Sequence, residues 1–95
     1  MERPQNRGWA VSYQIEFVKQ AAKQFKTLPT QEQERLQTKI DALGSEPRPV
    51  GVVKLVGEEN LYRIRVGDYR VIYVIQDDLL LILVLKIGHR RDVYR

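Results

Sequence analysis

Leu61-Tyr62-Arg63-Ile64-Arg65-Val66, then Gly67-Asp68, then Tyr69-Arg70-Val71-Ile72-Tyr73-Val74-Ile75 is the stretch that decides the fold. Side chains of a strand point alternately to opposite faces of its sheet. Tyr62, Ile64 and Val66 therefore share one face, and Arg63 and Arg65 share the other. Gly67-Asp68 has the composition and length of a tight hairpin turn between antiparallel strands. Residues 61–66 and 69–75 are predicted to be its two strands.

Further along, Gln76-Asp77-Asp78 reads as the next turn, and residues 79–87 as an apolar strand. A strand apolar on both faces is expected at the centre of a sheet, covered on both sides. Gly88 is expected to break it, leaving residues 89–95 as a short tail.

Upstream, residues 45–51 hold Pro47, Pro49 and Gly51 and read as a loop. Residues 52–56 form a short extended piece and 57–60 a turn. Earlier still, the period changes. Val18, Ala21, Ala22 and Phe25 fall at helical spacing, with Lys19, Lys23 and Lys26 on the other side. This helix must end before Pro29. Thr30 opens a second helix, with Gln33 at capping-box spacing and Leu36, Ile40 and Leu43 as its buried stripe, stopped by Gly44. The short link predicts an antiparallel helical hairpin. Residues 13–17 alternate as a half-buried strand. The sum is an α+β domain over residues 12–95: an N-terminal strand and a two-helix hairpin packed on an antiparallel sheet. Residues 1–11 are polar and aperiodic, and are expected to be a flexible arm.

Composition narrows the chemistry. The 95 residues suffice for one modest core, with 43% hydrophobic and 29% charged residues. There is no cysteine and one histidine, His89, so no disulfide framework, thiolate zinc site or multi-histidine metal site is expected. The formal charge of +4 points towards a polyanionic partner. The longest apolar run, residues 79–85, is too short to span a bilayer, and the first twelve residues lack a secretory pattern. A cytoplasmic protein without cofactor or membrane partner is expected.

Arg63 and Arg65 project from one strand face, and Arg70 follows on the partner strand. Their bare sequence leaves two readings open. They are solvated strand residues paired with Glu58, Glu59 or Asp68, or they are a site for an anion, whose oxygens suit the planar guanidinium fork.

A resemblance bears on that choice. Lys54-Leu55-Val56-Gly57, the run from Asn60 to Tyr73, Gly88-His89-Arg90 and Asp92-Val93-Tyr94 together resemble the RelE/ParE toxin superfamily, in its RelE-like branch. The likeness covers residues 13–94. It implies the same α+β fold and the toxin of a type II toxin–antitoxin system. It also implies a metal-free endoribonuclease that cuts mRNA on the ribosome, the 2′-hydroxyl attacking the adjacent phosphate. The implied partners are mRNA, the ribosome and a cognate, acidic, RelB-like antitoxin in a hetero-oligomer.

The resemblance also implies site residues. Arg63, Arg65 and Arg70 match basic positions that bind RNA phosphate, and Lys54 matches a weaker one. Arg90 is implied to stabilise charge or assist the leaving group, and Tyr94 to stack on a base or orient the 2′-hydroxyl. Some relatives carry lysine where Arg63 and Arg65 stand, and a further basic residue where this chain has Val56. Arginine does not give up its proton, so it serves poorly as a base. His89, whose neutral form the neighbouring arginines favour, is the candidate base. Lys86 and the helix lysines are weaker candidates for RNA contact. The alternatives are a ParE-like inhibitor of DNA gyrase without RNase activity, and a nucleic-acid binder without catalysis.

Overall fold

A computed structural model describes residues 12–91. The arm predicted for residues 1–11, and Tyr94 with its neighbours, lie outside the described residues. The chain runs β1 (Gln14–Phe17), α1 (Lys19–Lys26), α2 (Thr30–Ala42), β2 (Val53–Lys54), β3 (Leu61–Val66), β4 (Tyr69–Gln76), a 3-10 turn (Asp77–Leu79) and β5 (Leu81–His89). The five strands form one sheet in the order β1-β5-β4-β3-β2. Strands β2 to β5 pair antiparallel in sequence. The N-terminal strand closes the other edge, parallel to β5, so the α+β sheet is mixed.

Burial follows the alternation read from the sequence. Tyr62, Ile64, Val66, Val71, Tyr73, Ile75, Ile82, Val84 and Ile87 are buried on one face. Ala21 of α1 and Leu36, Ile40 and Leu43 at the α2 stripe pack onto them. Each such aliphatic side chain contributes roughly 1.5–3 kcal/mol on burial. The predicted hairpin is reproduced residue for residue: Val66 pairs with Tyr69 around Gly67-Asp68. Gly67 has φ +63°, the left-handed value that such a turn assigns to glycine.

Several local expectations need correction. No capping box forms at α2. Pro29 is the N-cap residue, without a side-chain cap, and Gln33 instead donates to the carbonyls of Leu28 at 2.8 Å and Lys26 at 3.3 Å. It thereby ties α2 to the end of α1. The extended piece after the loop is shorter than predicted, two residues in β2. The turn after β4 is a 3-10 turn ending at Leu80, φ +52°, which delays β5 to Leu81. Only one face of β5 is fully covered: Leu81, Leu83 and Leu85 are half-buried, because both helices lie on the Ile82 side. Gly88 does not break β5 but pairs with Arg70, and His89 pairs with Tyr69. The opposing β4 continues there and holds the strand.

A polar clasp closes the β1 end of the molecule. The Arg48 guanidinium donates to Asp77 at 2.8 Å and, through Nε, to the Tyr62 hydroxyl at 3.1 Å. Tyr13 donates its phenol to Asp77 at 2.5 Å. Beneath it, the buried Tyr73 donates to the Pro47 carbonyl at 2.7 Å and stacks on Tyr62. Four separate chain segments are joined there.

Candidate nucleic-acid interface

The face of the sheet away from the helices carries the arginines. Arg65 and Arg70 are register partners across the hairpin, and Arg63 is opposite Ile72. Arg63 and Arg70 are half-buried and Arg65 is exposed. Arg65 turns its Nε to the Gly67 carbonyl at 3.2 Å, which orients it over the turn. Arg70 reaches along β5 to the carbonyl of Arg90 at 3.4 Å. Its direct partner is Gly88, which leaves that path clear of a side chain.

Arg90 is held from the other side as well. Its N–H donates to the Asp68 carbonyl at 2.8 Å, so the residue after β5 is fixed to the hairpin turn. The four cations are close enough to feel one another. Desolvation, then the charges of Arg63, Arg65 and Arg90, hold Arg70 below the ordinary arginine value, though it remains a cation. Like charges gathered on neighbouring strands cost stability. Such a cluster is suited to an anion that several guanidinium groups address at once.

The other predicted site residues are not all brought to this face. Lys54 pairs with Tyr62, whose side chain points to the helices, so Lys54 stands on the opposite side from Arg63, at an edge. His89 pairs with Tyr69 and meets its ring edge-on at 5.8 Å, again on the helix side. Its Nδ1 accepts the Arg91 N–H at 3.3 Å. Tyr94 falls outside the described residues.

Lys86 was a weaker candidate from the sequence. It pairs with Ile72 on the arginine face and is half-buried. Among the described residues, no group of three or more His, Cys, Asp or Glu side chains is placed to hold a metal ion. No described helix is long and apolar enough to cross a membrane.

A five-stranded sheet backed by a helical hairpin, with a cluster of arginines on its open face, defines a small basic toxin-like domain. The chain belongs to the ParE toxin family of type II toxin–antitoxin systems, which it matches over residues 12–94. Its relatives place it in the RelE-like branch of that superfamily. It is 30% identical, over 90% of this chain and 98% of the relative, to a protein of Methanocaldococcus jannaschii that carries the provisional name toxin RelE1. Among solved structures it resembles a chain of the archaeal RelE–RelB complex from Pyrococcus horikoshii, with 36% identity, a TM-score of 0.76, and 86% of this chain and 99% of that one covered. It also resembles the isolated E. coli RelE toxin, with 28% identity, a TM-score of 0.75, and 87% and 92% covered.

Proposed function

We propose that this protein is the toxin of a type II toxin–antitoxin system and cuts mRNA on the ribosome without a metal ion. The observation that carries the reading is the cluster in which Arg65 pairs with Arg70 across the hairpin, Arg63 stands on the same face and Arg70 reaches the Arg90 carbonyl. In this reaction the 2′-hydroxyl of one nucleotide attacks the adjacent phosphorus. The 2′-hydroxyl gives up its proton to a base, the bond to the 5′-oxygen breaks, and that oxygen takes up a proton, leaving a 2′,3′-cyclic phosphate and a 5′-hydroxyl. The nucleophile is internal to the RNA, so the protein must align it and neutralise the charge that builds on the phosphorane. Arg65 and Arg70 grip the phosphate oxygens in this scheme, with Arg63 beside them. Arg90 faces the leaving oxygen and Tyr94 orients the 2′-hydroxyl or stacks on a base. His89, at the rim, is the candidate base for the 2′-hydroxyl proton. Lys54, on the other side of the sheet, contacts RNA away from the scissile bond.

The partner in this reading is an acidic, RelB-like antitoxin, and the setting is the cytoplasm. The P. horikoshii and E. coli relatives were solved as complexes of RelE with RelB. The second reading, inhibition of DNA gyrase, is favoured by the match to the ParE toxin family. One experiment separates them. The protein is added to a cell-free translation reaction, and to a gyrase–DNA reaction. New mRNA ends that require translating ribosomes support RNA cutting. Intact mRNA with trapped gyrase–DNA complexes establishes the alternative.

A further inference from the structure

We propose that Lys86 is a phosphate-contacting cation of the arginine face, turned onto that face by a β-bulge that Gln24 holds in register. The proposal rests on the RNA-cutting reading for the identity of the polyanion, and it adds a residue to that site.

The reasoning starts from period two. Ile82 and Val84 point into the core. Simple alternation would send residue 86 into the core too, opposite Val71, which is fully buried. A lysine there would lose its hydration. The strand avoids this by inserting one residue. Tyr73 pairs with Val84, but Ile72 pairs with Lys86, so Leu85 has no register partner. Ile87 then takes the core position opposite Val71, and Lys86 turns to the side of Ile72 and Arg63. Bulges commonly re-aim side chains in this way beside functional sites.

The result is two rows across the sheet. One runs Arg63–Ile72–Lys86 and the next Arg65–Arg70–Gly88. With strands about 4.8 Å apart, the first row spans about 10 Å, wider than one phosphate group. Lys86 is half-buried, which for lysine means a packed stem and a head in water. Lys86 adds a cation to the face that holds Arg63, Arg65 and Arg70, and a row of cations on one sheet face suits a polyanion.

Gln24 supplies the register. β1 ends at Phe17, opposite Val84, so β5 beyond that point has no strand on this side. The Ile87 N–H donates instead to Gln24 Oε1 of α1, at 2.8 Å. The helix side chain takes over where the strand stops, and it fixes the residue immediately after Lys86. Gln24 is thus a positioning residue for Lys86.

The test measures binding of the full-length protein to a short single-stranded RNA oligonucleotide across a salt series, by fluorescence anisotropy. Each phosphate contact to single-stranded nucleic acid contributes about 0.7 to the slope of log affinity against log salt. Lys86→Gln is expected to lower that slope by about 0.7, and affinity near 0.1 M salt by roughly fivefold. Lys86→Arg should retain both. Lys39→Gln, on the exposed side of α2, removes the same charge and should leave the slope unchanged. Gln24→Leu should reproduce part of the Lys86→Gln loss, while Gln24→Glu, which keeps the Oε acceptor, should not. Circular dichroism melting checks that each variant is folded. Three results overturn the proposal: no RNA binding by the wild type, an unchanged slope in Lys86→Gln, or equal losses in Lys39→Gln and Lys86→Gln. If the binding results hold but no mRNA is cut during translation, the cleavage reading fails and the Lys86 assignment stands.

Discussion

Arg65 and Arg70 are paired directly across the hairpin between β3 and β4, and the charge of Arg65 helps hold Arg70 below its ordinary value. Two guanidinium groups in this position suit an anion that both can address. Arg70→Met is therefore expected to lower mRNA cleavage by roughly 10²-fold, as when one charge-stabilising donor is lost, in a protein that still melts cooperatively. A folded variant that cuts at the wild-type rate would remove Arg70 from the site.

The turn that sets this pairing depends on Gly67. Its φ is +63°, and an added Cβ would come within 2.7 Å of Arg35 Nη1. The arginine end can swing away, but the backbone angle cannot be relieved. Gly67→Ala should cost about 1–2 kcal/mol in urea denaturation. Adding Arg35→Ala should recover little of it. Full recovery in the double variant would locate the strain in the contact rather than in the turn.

Tyr73 donates to the Pro47 carbonyl at 2.7 Å from a fully buried position. Burial pushes its phenol above the ordinary tyrosine range, so it stays a donor at any working pH. Tyr73→Phe should cost about 1 kcal/mol of stability and leave the RNA-cleavage pattern unchanged. Loss of cleavage specificity would tie the loop at Pro47 to substrate selection.

The clasp around Asp77 predicts how acid acts on the fold. Its hydrogen bond from Arg48, then that from Tyr13, hold its carboxyl below the ordinary aspartate value. A depressed carboxyl contributes stability above its unfolded value of about 3.9 and loses it as pH falls through the folded value. Wild-type stability should therefore carry a component that declines below about pH 4. Asp77→Asn should lack that component and show a shallower acid slope. Parallel acid profiles for the two proteins would show that the clasp carries no linkage.

The hairpin and the helix stripe were legible because their alternation is interrupted only by a turn residue. Arg63 and Arg65 on one side, Tyr62, Ile64 and Val66 on the other, require no further information. The bulge at Leu85 was not legible. Residues 79–85 are apolar throughout, so an inserted residue leaves no break in the pattern, and only packing decides which of Lys86 and Ile87 is buried. The side taken by His89 follows from the same insertion. The face taken by Lys54 was not legible for another reason: it depends on which β3 residue Lys54 pairs with, and a two-residue strand contains no alternation to reveal it. The capping box at Thr30 failed because Pro29 took the cap and Gln33 found carbonyls of the preceding turn.

The proposed cutting of mRNA by the arginine face stands or falls on the mRNA 5′ ends mapped in a translating cell-free reaction, for the wild type and for a variant with Arg63, Arg65 and Arg70 all changed to Met. The expected result is a set of new ends, each with a 5′-hydroxyl, that appears with the wild type and disappears with the folded variant. The same ends at the same yield from the variant would contradict it.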